Sequence, residues 1–315
     1  MSRTGPIAML FPGHGAELPK MGLELASVHP RAAALLDYAG EVGGFDARAV
    51  LRRGGDRLSD TRVLQPLMTA VLLGIVDALA ERGVRPDFAL GFSLGELSAW
   101  SALGGIEAEQ AIALAGVRGR ALGAAALTHE GAMLALPTLD EPALDAVIER
   151  ARAHGVVDRA IHAGPGRWVI AGDRRALVRV LEQVGGTMVA TSGAWHCRRM
   201  TPACAEYEAA LRALEPEFRA TPTLICNHDG ALLGERPIIP MLVGQLDGCV
   251  GFAEGMQTLA RVLAPGTTLV LVGPPKPLRV MARSNWLDHP RLLVAETPGE
   301  IAMIAEQLIG AAPRC

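Results

Sequence analysis

Cysteine is scarce in this sequence, and its spacing excludes two common ways of stabilising a fold. No two of the five cysteines form a C-x-x-C pair, and their number is odd. A disulfide framework needs paired cysteines and a structural zinc site needs closely spaced ligands, so the pattern argues against both. We therefore expect no metal site. The cysteines are Cys197, Cys204, Cys226, Cys249 and Cys315.

Long apolar stretches and an excess of one charge are also missing. No segment approaches the ~18 uncharged apolar residues that span a bilayer, and residues 1–6 lack the apolar stretch of a secretory leader. The 30 basic and 33 acidic residues give a net charge of −3, whereas a dedicated nucleic-acid binder usually carries a strong positive excess. The sequence thus predicts a cytoplasmic protein that binds neither a membrane nor a nucleic acid.

The chain does have enough apolar material for a large core. Its 315 residues are 50% hydrophobic and 20% charged, a composition that excludes general disorder. At roughly 150 residues per domain, this length predicts two domains, or one large domain with an insertion.

Strand and helix patterns alternate in the first part of the chain. The apolar run Ile7–Phe11 predicts a buried strand that ends at a Pro-Gly pair, and residues 88–92 predict a second strand. Helical periodicity covers residues 61–81 and 108–122. This alternation is typical of an α/β fold with a parallel sheet.

The pattern changes between residues 130 and 192. Strands are predicted at 132–136, 156–163, 167–171 and 187–191, with helices at 141–154 and 174–184. The resulting order, βαββαβ, matches the ferredoxin-like motif. We therefore predict a small ferredoxin-like domain inserted in a larger one. Beyond it, helices are predicted near 202–213, 238–246 and 252–263, and strands at 223–226 and 268–272.

A serine follows the second predicted strand in a Gly-x-Ser-x-Gly pattern, at residues 91–95. The pattern is that of a nucleophile elbow, in which the glycines allow a sharp strand-to-helix turn that exposes the hydroxyl of Ser93. The N-terminus of the following helix favours developing negative charge near that hydroxyl. Taken alone, the pattern fits a structural turn equally well.

A serine nucleophile needs a general base, and the chain has eight histidines. His196 lies just beyond the inserted segment, where the chain returns to the large domain, so it is placed to line a cleft between the two. By spacing alone, a surface or packing role for His196 is the simpler interpretation.

Eight short motifs occur along residues 8–283. They are residues 11–15 with 21–22, 61–66, 91–96, 118–119, 131–133, 196–203, 245–246 and 273–276. In order and interval they resemble the motifs of malonyl-CoA:acyl carrier protein transacylases and of polyketide synthase acyltransferase domains. The resemblance implies an α/β-hydrolase-like large domain, residues 1–129 and 193–315, with the ferredoxin-like small domain at 130–192.

The resemblance also implies a Ser–His dyad, with Ser93 as nucleophile and His196 as general base and then acid. In this family a backbone carbonyl, at the position of Gln245, orients the imidazole in place of a carboxylate. Backbone N–H groups of Leu94 and His14 would form the oxyanion hole. A backbone donor does not depend on the side chain, so the histidine at position 14 in place of the usual glutamine leaves this role intact.

Arg118 matches the family's arginine that binds an acyl carboxylate. A guanidinium offers a carboxylate two parallel hydrogen bonds, which favours a malonyl group over an acetyl or fatty acyl group. A solvated arginine on a helix face is the simpler alternative. The implied substrate is an acyl-CoA, and no permanently bound cofactor is expected.

The implied partner is an acyl carrier protein, whose phosphopantetheine thiol would accept the acyl group. Carrier proteins of this kind are acidic, so arginines at the rim of the cleft are candidate docking residues. The candidates are Arg174, Arg175, Arg198 and Arg199.

The acyl pocket is expected to include Gln65, Phe92, Gly193 and Trp195, and three of these depart from the family. Phe92 replaces a histidine, and Gly-Ala-Trp-His stands where malonyl-specific relatives have HAFH and methylmalonyl-specific ones have YASH. The bulk of Trp195 should crowd an α-methyl branch, whereas Gly193 opens space nearby. A non-standard acyl group therefore stays open.

The sequence thus predicts a free-standing acyltransferase and leaves rivals open. An acyl-thioester hydrolase on the same fold would use water as the acceptor. A related transferase could take an unusual or carrier-bound acyl group. In a non-catalytic carrier-binding module, Ser93 would be only a turn residue.

Overall fold

A computed structural model describes residues 5–264, 266–285 and 291–310. The prediction that residues 1–6 lack a secretory leader therefore concerns residues that lie mostly outside the described ranges. Cys315 also lies outside them. The α/β class predicted from the sequence is confirmed, since the described chain forms two sheets with helices packed against them.

The larger sheet is parallel and has helices on both faces. Its strands are β1 Ile7–Phe11, β2 Phe88–Gly91, β7 Leu224–Ile225, β9 Thr268–Val272 and β10 Arg291–Ala295. Their order is β10-β9-β1-β2-β7, with parallel pairing throughout. Alternate residues of β1 enter two separate hydrophobic clusters, one on each face, which is why its sequence is apolar at every position.

Helices and two short 3₁₀ segments make up most of the rest of the large domain. The α-helices are α1 Leu23–Val28, α2 Pro30–Gly43, α3 Ala47–Arg53, α4 Asp56–Ser59, α5 Thr61–Ala80, α6 Gly95–Ala102, α7 Ala108–Ala126, α10 Cys204–Leu214, α11 Ile238–Asp247, α12 Phe252–Val262, α13 Lys276–Asn285 and α14 Pro298–Ile309. The 3₁₀ helices are Arg198–Ala203 and Glu215–Glu217.

Contrary to the expectation from the sequence, helix α5 is long and apolar enough to cross a membrane by length and composition, with a mean hydropathy of 1.9. However, 83% of that stretch is buried inside the protein, where α5 packs against α2 and α7. Its apolar composition is therefore accounted for by its place in the core.

The smaller sheet has the predicted βαββαβ order. Its elements are β3 Gly131–Ala135, α8 Glu141–Arg152, β4 Val157–Gly164, β5 Arg167–Asp173, α9 Arg174–Val184 and β6 Thr187–Met188. The strand order is β6-β3-β5-β4, and these pairs are antiparallel. Both helices bury apolar residues against the sheet, so the ferredoxin-like unit is confirmed.

The small domain is joined to the rest by a strand and by ion pairs. Strand β8, Val250–Gly251, comes from the large domain and pairs in parallel with β4. Arg198 and Arg199 each form two side-chain hydrogen bonds with one carboxylate of the small domain, Asp158 and Asp173 respectively. The domain boundaries at residues 130 and 192 stay a prediction, and β8 shows that sheet pairing crosses them.

Several observed elements were not predicted from the sequence, and one predicted strand is shorter in the structure. Helices α1–α4 lie in a stretch to which no element was assigned, and α13, β10 and α14 follow the last predicted strand. The strand predicted at 187–191 ends at Met188, and residues 189–191 instead line a cavity.

Candidate active site

Ser93 lies at the sharp turn between β2 and α6, as the elbow pattern predicts. Its backbone φ is 52°, a left-handed conformation that a non-glycine residue rarely adopts outside functional sites. A Cβ on Gly95 would lie 2.4 Å from the carbonyl oxygen of Phe11, so a glycine is needed where the elbow crosses β1. The turn places Oγ of Ser93 at the N-terminal end of α6.

The structure brings His196 to Ser93, 103 positions away in the chain. Nε2 of His196 is 2.8 Å from Oγ of Ser93, and Nδ1 is 2.6 Å from the backbone oxygen of Gln245. A carbonyl only accepts hydrogen bonds, so Nδ1 carries the proton and Nε2 presents its lone pair to the serine hydroxyl. His196 also has a positive φ, 62°.

The environment of His196 keeps its imidazole neutral. Burial above all, and then the charge of Arg118, lower the pKa of His196 to about 3, while the Gln245 carbonyl opposes this shift. At neutral pH the ring is therefore unprotonated and can accept a proton.

Arg118, on α7, is fully buried beside the serine. Its Nη1 donates to Oε1 of Gln65 at 2.9 Å, and its Nη2 donates to Oε1 of Gln245 at 3.0 Å and to Oγ of Ser93 at 3.2 Å. Burial lowers the pKa of Arg118, but a guanidinium stays charged in proteins. A cation therefore lies within hydrogen-bond distance of the candidate nucleophile.

The loop after β1 lies against the elbow. A Cβ on Gly13 would be 2.2 Å from the Phe92 carbonyl oxygen and 3.4 Å from the Leu94 nitrogen. The backbone N–H groups of His14 and Leu94 are thus on two segments that touch beside Ser93. Two such donors near a serine are the usual composition of an oxyanion hole.

A cavity of about 280 Å³ opens at the serine, between the two domains. It contains Ser93, His196, Arg118 and the predicted pocket residues Gln65, Phe92 and Trp195. Most of its other walls are apolar. They are formed by Leu94, Leu122, Met133, Ile161, Val169, Val189, Ala190, Pro277 and Met281, with His14, Gly15, Thr61 and Thr191 as further neighbours.

Gly193 does not line this cavity, and the space that its missing side chain leaves is filled. A Cβ at this position would lie 2.5 Å from Cη2 of Trp195. The indole therefore covers Gly193 and also lies near the ring of His14, with ring centroids 6.1 Å apart. Trp195 therefore forms part of the pocket wall, and it can pack there because Gly193 has no side chain.

Phe92 packs against another aromatic side chain. Its ring packs edge-on against Phe252, with centroids 5.6 Å apart, and both belong to the cluster on one face of the large sheet. An aromatic pair of this geometry is favourable, so the two aromatic residues form one packing unit at the rim of the cavity.

Three features near the serine were missed from the sequence. Glu96 is fully buried and accepts from the side chain of Gln245 and from the backbone N–H of Asn227. Asn227 accepts from the Ser93 N–H at 2.7 Å and donates to the Gly91 carbonyl at 2.6 Å. Glu96 is the last residue of the elbow motif, so the motif itself could have indicated it. Asn227 lies just after the two-residue strand β7, and no sequence motif indicated a role for it. The third feature is the side chain of Gln245, which was expected to act through its backbone alone.

Among the described residues, one group of side chains outside the serine cavity has the composition of a metal site. His29, Asp77 and Glu81 place their ligand atoms within 4.8 Å of one another. However, Nδ1 of His29 accepts the N–H of Ala32 and caps α2. A ring whose Nδ1 accepts a hydrogen bond carries its proton on Nε2, which lies 3.0 Å from Glu81, so no ring lone pair is left for a metal.

The chain resembles known acyltransferases in sequence and in structure. A family model described as the acyl transferase domain matches residues 8–266. The chain is 32% identical over 282 residues to a malonyl CoA-acyl carrier protein transacylase from Bacillus subtilis, covering 86% of this chain and 88% of that protein.

Solved structures agree with the sequence match. The malonyl CoA-acyl carrier protein transacylase from Clostridium perfringens superposes with a TM-score of 0.85 and 25% identity, covering 96% of both chains. A malonyl-transacylase solved in complex with its type II polyketide synthase acyl-carrier protein gives the same TM-score and identity, with 96% of this chain and 99% of that chain covered. The chain therefore belongs to the acyl transferase domain family.

Proposed function

We propose that this protein transfers a malonyl-type acyl group from coenzyme A to the phosphopantetheine thiol of an acyl carrier protein, through an ester on Ser93. The observation that carries the proposal is the convergence on one hydroxyl. Oγ of Ser93 lies 2.8 Å from Nε2 of His196 and 3.2 Å from Nη2 of Arg118. A nucleophile, a neutral base and a fixed cation are thus in contact.

In the first half of the reaction, Oγ of Ser93 attacks the thioester carbonyl carbon of the acyl-CoA. Nε2 of His196 takes the hydroxyl proton as the O–C bond forms, and the Gln245 carbonyl stabilises the imidazolium through Nδ1–H. As the C–S bond breaks, His196 gives the proton to the departing CoA thiolate. In the second half, the thiol of the carrier protein attacks the ester and the same steps run in reverse.

The negative charge on the carbonyl oxygen of the tetrahedral intermediate needs donors. The backbone N–H groups of His14 and Leu94 are the candidates, because their segments meet beside Ser93. Loss of one such donor typically costs about 2.7–4 kcal/mol in activation free energy.

The distance between Arg118 and Ser93 favours a short dicarboxylic acyl group. In a malonyl ester, three bonds of about 1.3–1.5 Å separate Oγ from the carboxylate carbon. A guanidinium 3.2 Å from Oγ can meet a carboxylate at that reach. A longer diacid would have to fold back within the cavity. An acetyl group would leave the buried guanidinium of Arg118 without a carboxylate in direct contact, which is costly.

The cavity wall supports a preference among short diacids. Trp195 packs against Gly193 and lies near His14, and these contacts restrict its movement away from an α-methyl branch. One methylene discriminates by only about 1–3 kcal/mol, so malonyl-CoA should be preferred over methylmalonyl-CoA without excluding it.

The remaining expectations follow from the same chemistry. Both half-reactions proceed with the groups named above, so no permanently bound cofactor is required and acyl-CoA is a substrate. We expect the protein to act in the cytoplasm, where acyl-CoA and carrier proteins occur together.

Intact-mass analysis after incubation with a panel of acyl-CoAs tests this proposal. Malonyl-CoA should add one malonyl group to the wild type, and Ser93→Ala should abolish the gain. Addition of an acyl carrier protein should discharge the ester to the carrier thiol. Release of free malonate at the same rate, with no acyl-carrier product, would instead identify a hydrolase. Failure of every acyl-CoA to modify Ser93 would favour a non-catalytic module.

A further inference from the structure

We propose that Glu96 is a positioning residue that orients the Gln245 side chain, and through it Arg118, so that it governs the choice between charged and uncharged acyl groups. The inference rests on the proposed function, because it concerns how the same site selects its substrate. The Glu96 backbone N–H donates to the Ser93 carbonyl, but the described contacts of its carboxylate are with Asn227 and Gln245 and it does not line the cavity, so the carboxylate acts through other residues.

Glu96 lies in the first turn of α6 with no exposed surface. Oε1 accepts from the Asn227 N–H at 2.9 Å, and Oε2 accepts from Nε2 of Gln245. Among the described residues it has no direct ion-pair partner; the charge of Arg118 acts on it from beyond Gln245. A buried carboxyl group of this kind is costly unless its oxygens are satisfied, which indicates that both contacts matter.

The carboxylate determines which way the Gln245 amide points. A carboxylate oxygen accepts hydrogen bonds, so it requires the NH₂ end of the amide. The oxygen end then faces Arg118 and accepts from Nη2 at 3.0 Å. If the amide turned over, its oxygen would face the carboxylate of Glu96 and its NH₂ would face a guanidinium, and both contacts would be repulsive.

The same amide contacts the nucleophile's own segment. Nε2 of Gln245 also lies 3.4 Å from the Ser93 carbonyl oxygen, and the Gln245 backbone accepts from His196. On its other side, Glu96 binds the backbone of Asn227, whose side chain bridges the Ser93 N–H and the Gly91 carbonyl. The carboxylate of Glu96 is therefore two hydrogen bonds from the guanidinium of Arg118 and two from the backbone N–H of Ser93.

This arrangement predicts what a neutral amide in place of Glu96 would do. In Glu96→Gln, one oxygen remains for the Asn227 N–H, and an NH₂ replaces the acceptor that faced Gln245. The Gln245 amide must then turn over, and Arg118 loses an acceptor and gains a facing donor. Displacement of the guanidinium should slow acylation by a carboxylate-bearing acyl-CoA far more than acylation by an uncharged one.

The test compares acylation of Ser93 by malonyl-CoA and acetyl-CoA, as kcat/KM, above neutral pH where Glu96 is ionised. Four proteins are assayed: the wild type, Glu96→Gln, Gln245→Met and the double variant. Glu96→Gln should lower the malonyl-to-acetyl ratio by about tenfold or more, the change expected when a hydrogen bond to a charged group is lost. Gln245→Met should lower the ratio similarly. The ratio of the double variant should be no lower than that of the more affected single variant.

The controls separate this proposal from a general loss of stability and from failure of the proposed function. Glu109→Gln removes a carboxylate that pairs with Arg31 away from the site and should leave the ratio unchanged. A ratio that stays the same or rises in Glu96→Gln would overturn the proposal, as would additive losses in the double variant. If Glu96→Gln does not fold, an unchanged ratio in Gln245→Met overturns it instead. If malonyl-CoA fails to acylate the wild type at Ser93, the proposed function itself is wrong.

Discussion

Arg118 donates a hydrogen bond to the hydroxyl oxygen of Ser93, from Nη2 at 3.2 Å. The group proposed to bind the acyl carboxylate therefore also touches the nucleophile before any substrate arrives. An incoming carboxylate would compete with Oγ for the guanidinium and would neutralise a charge that lowers the pKa of His196. Recognition of the acyl group and the basicity of the histidine are thus linked through one side chain.

Replacement of Arg118 should change the acyl preference more than the rate with uncharged substrates. Arg118→Ala should cost malonyl transfer about 2–5 kcal/mol, the range for truncating one partner of a buried charge pair, and should raise relative use of acetyl-CoA. Arg118→Lys should restore activity only in part, because lysine lacks the planar fork. Acylation rates for both thioesters in the three proteins measure this. A wild type that uses acetyl-CoA as well as malonyl-CoA would contradict the carboxylate role.

Removal of the imidazole should slow acylation with every acyl-CoA. His196→Ala should reduce the single-turnover rate of Ser93 acylation by about 10²–10⁴-fold, the usual contribution of a general base. The exposed His129 provides the matched control, since His129→Ala should leave the rate unchanged. The neighbouring thiol does not offer an alternative nucleophile, because burial raises the pKa of Cys197 to about 12. A stable adduct on Cys197 would contradict this assignment.

Stability should depend on pH through Glu96. Burial raises its pKa to about 7, against the opposing hydrogen bonds from Asn227 and Gln245 and the charge of Arg118. Between its unfolded pKa of 4.5 and about 7, the folded protein keeps a proton that the unfolded chain releases. The stabilisation is complete below the lower value and is lost as the pH rises through the upper one.

Glu96→Gln lacks this titration and serves as the reference. Relative to the variant, the wild type should lose unfolding free energy on the order of 3 kcal/mol across the window, at about 1.4 kcal/mol per pH unit. Denaturant unfolding of both proteins at several pH values measures the difference. A constant difference would show that Glu96 has the same pKa in the folded and unfolded states.

A methyl group on Gly193 should displace the indole of Trp195. The added Cβ would lie 2.5 Å from the ring, and overpacking of this kind typically costs about 1–3 kcal/mol. The midpoint of thermal unfolding should fall in Gly193→Ala and recover in part when Trp195→Phe is added, because the smaller ring leaves room. Gly299→Ala, where a Cβ would have no heavy atom within 4 Å, should not lower the midpoint. Equal midpoints for the single and double variants would contradict this packing.

Carrier-protein docking should depend on Arg175 and Arg179 more than on Arg198 and Arg199. The second pair bind Asp158 and Asp173 within the chain, whereas among the described residues neither Arg175 nor Arg179 forms an ion pair. With His154, they line a depression on the small domain, which a partner of negative charge would fit.

Charge reversal distinguishes the two pairs of arginines. Arg175→Glu with Arg179→Glu should slow transfer to the carrier protein at low salt and leave self-acylation from acyl-CoA unchanged. Arg198→Glu with Arg199→Glu should instead lower the midpoint of thermal unfolding, because the reversed charges would repel the two aspartates. Unchanged carrier transfer in the first variant would exclude this surface from docking.

Elements whose ends are marked by helix-start or helix-stop residues could be predicted closely, and others could not. The boundaries of α9 match the prediction, and the helix ends where Gly185 adopts a positive φ of 78°. Helices α1–α4 were missed because glycines and prolines interrupt that stretch and each helix is stabilised by packing against its neighbours. The strand at Thr187–Met188 stops early because the residues after it turn to line the cavity.

By itself, the sequence determined the serine elbow and the two kinds of sheet. It also determined the eight ordered motifs that indicate the family and include Ser93, His196 and Arg118. These features depend on residues that are near one another in the chain, where turn chemistry and periodicity act. Only the tertiary structure decided that Glu96, Asn227 and the Gln245 side chain form one network, and that Trp195 covers Gly193 in the folded pocket. Glu96 and Gln245 are 149 positions apart, and no local rule brings them together. Their contact depends on the order of the parallel strands and on the packing of the helices between them.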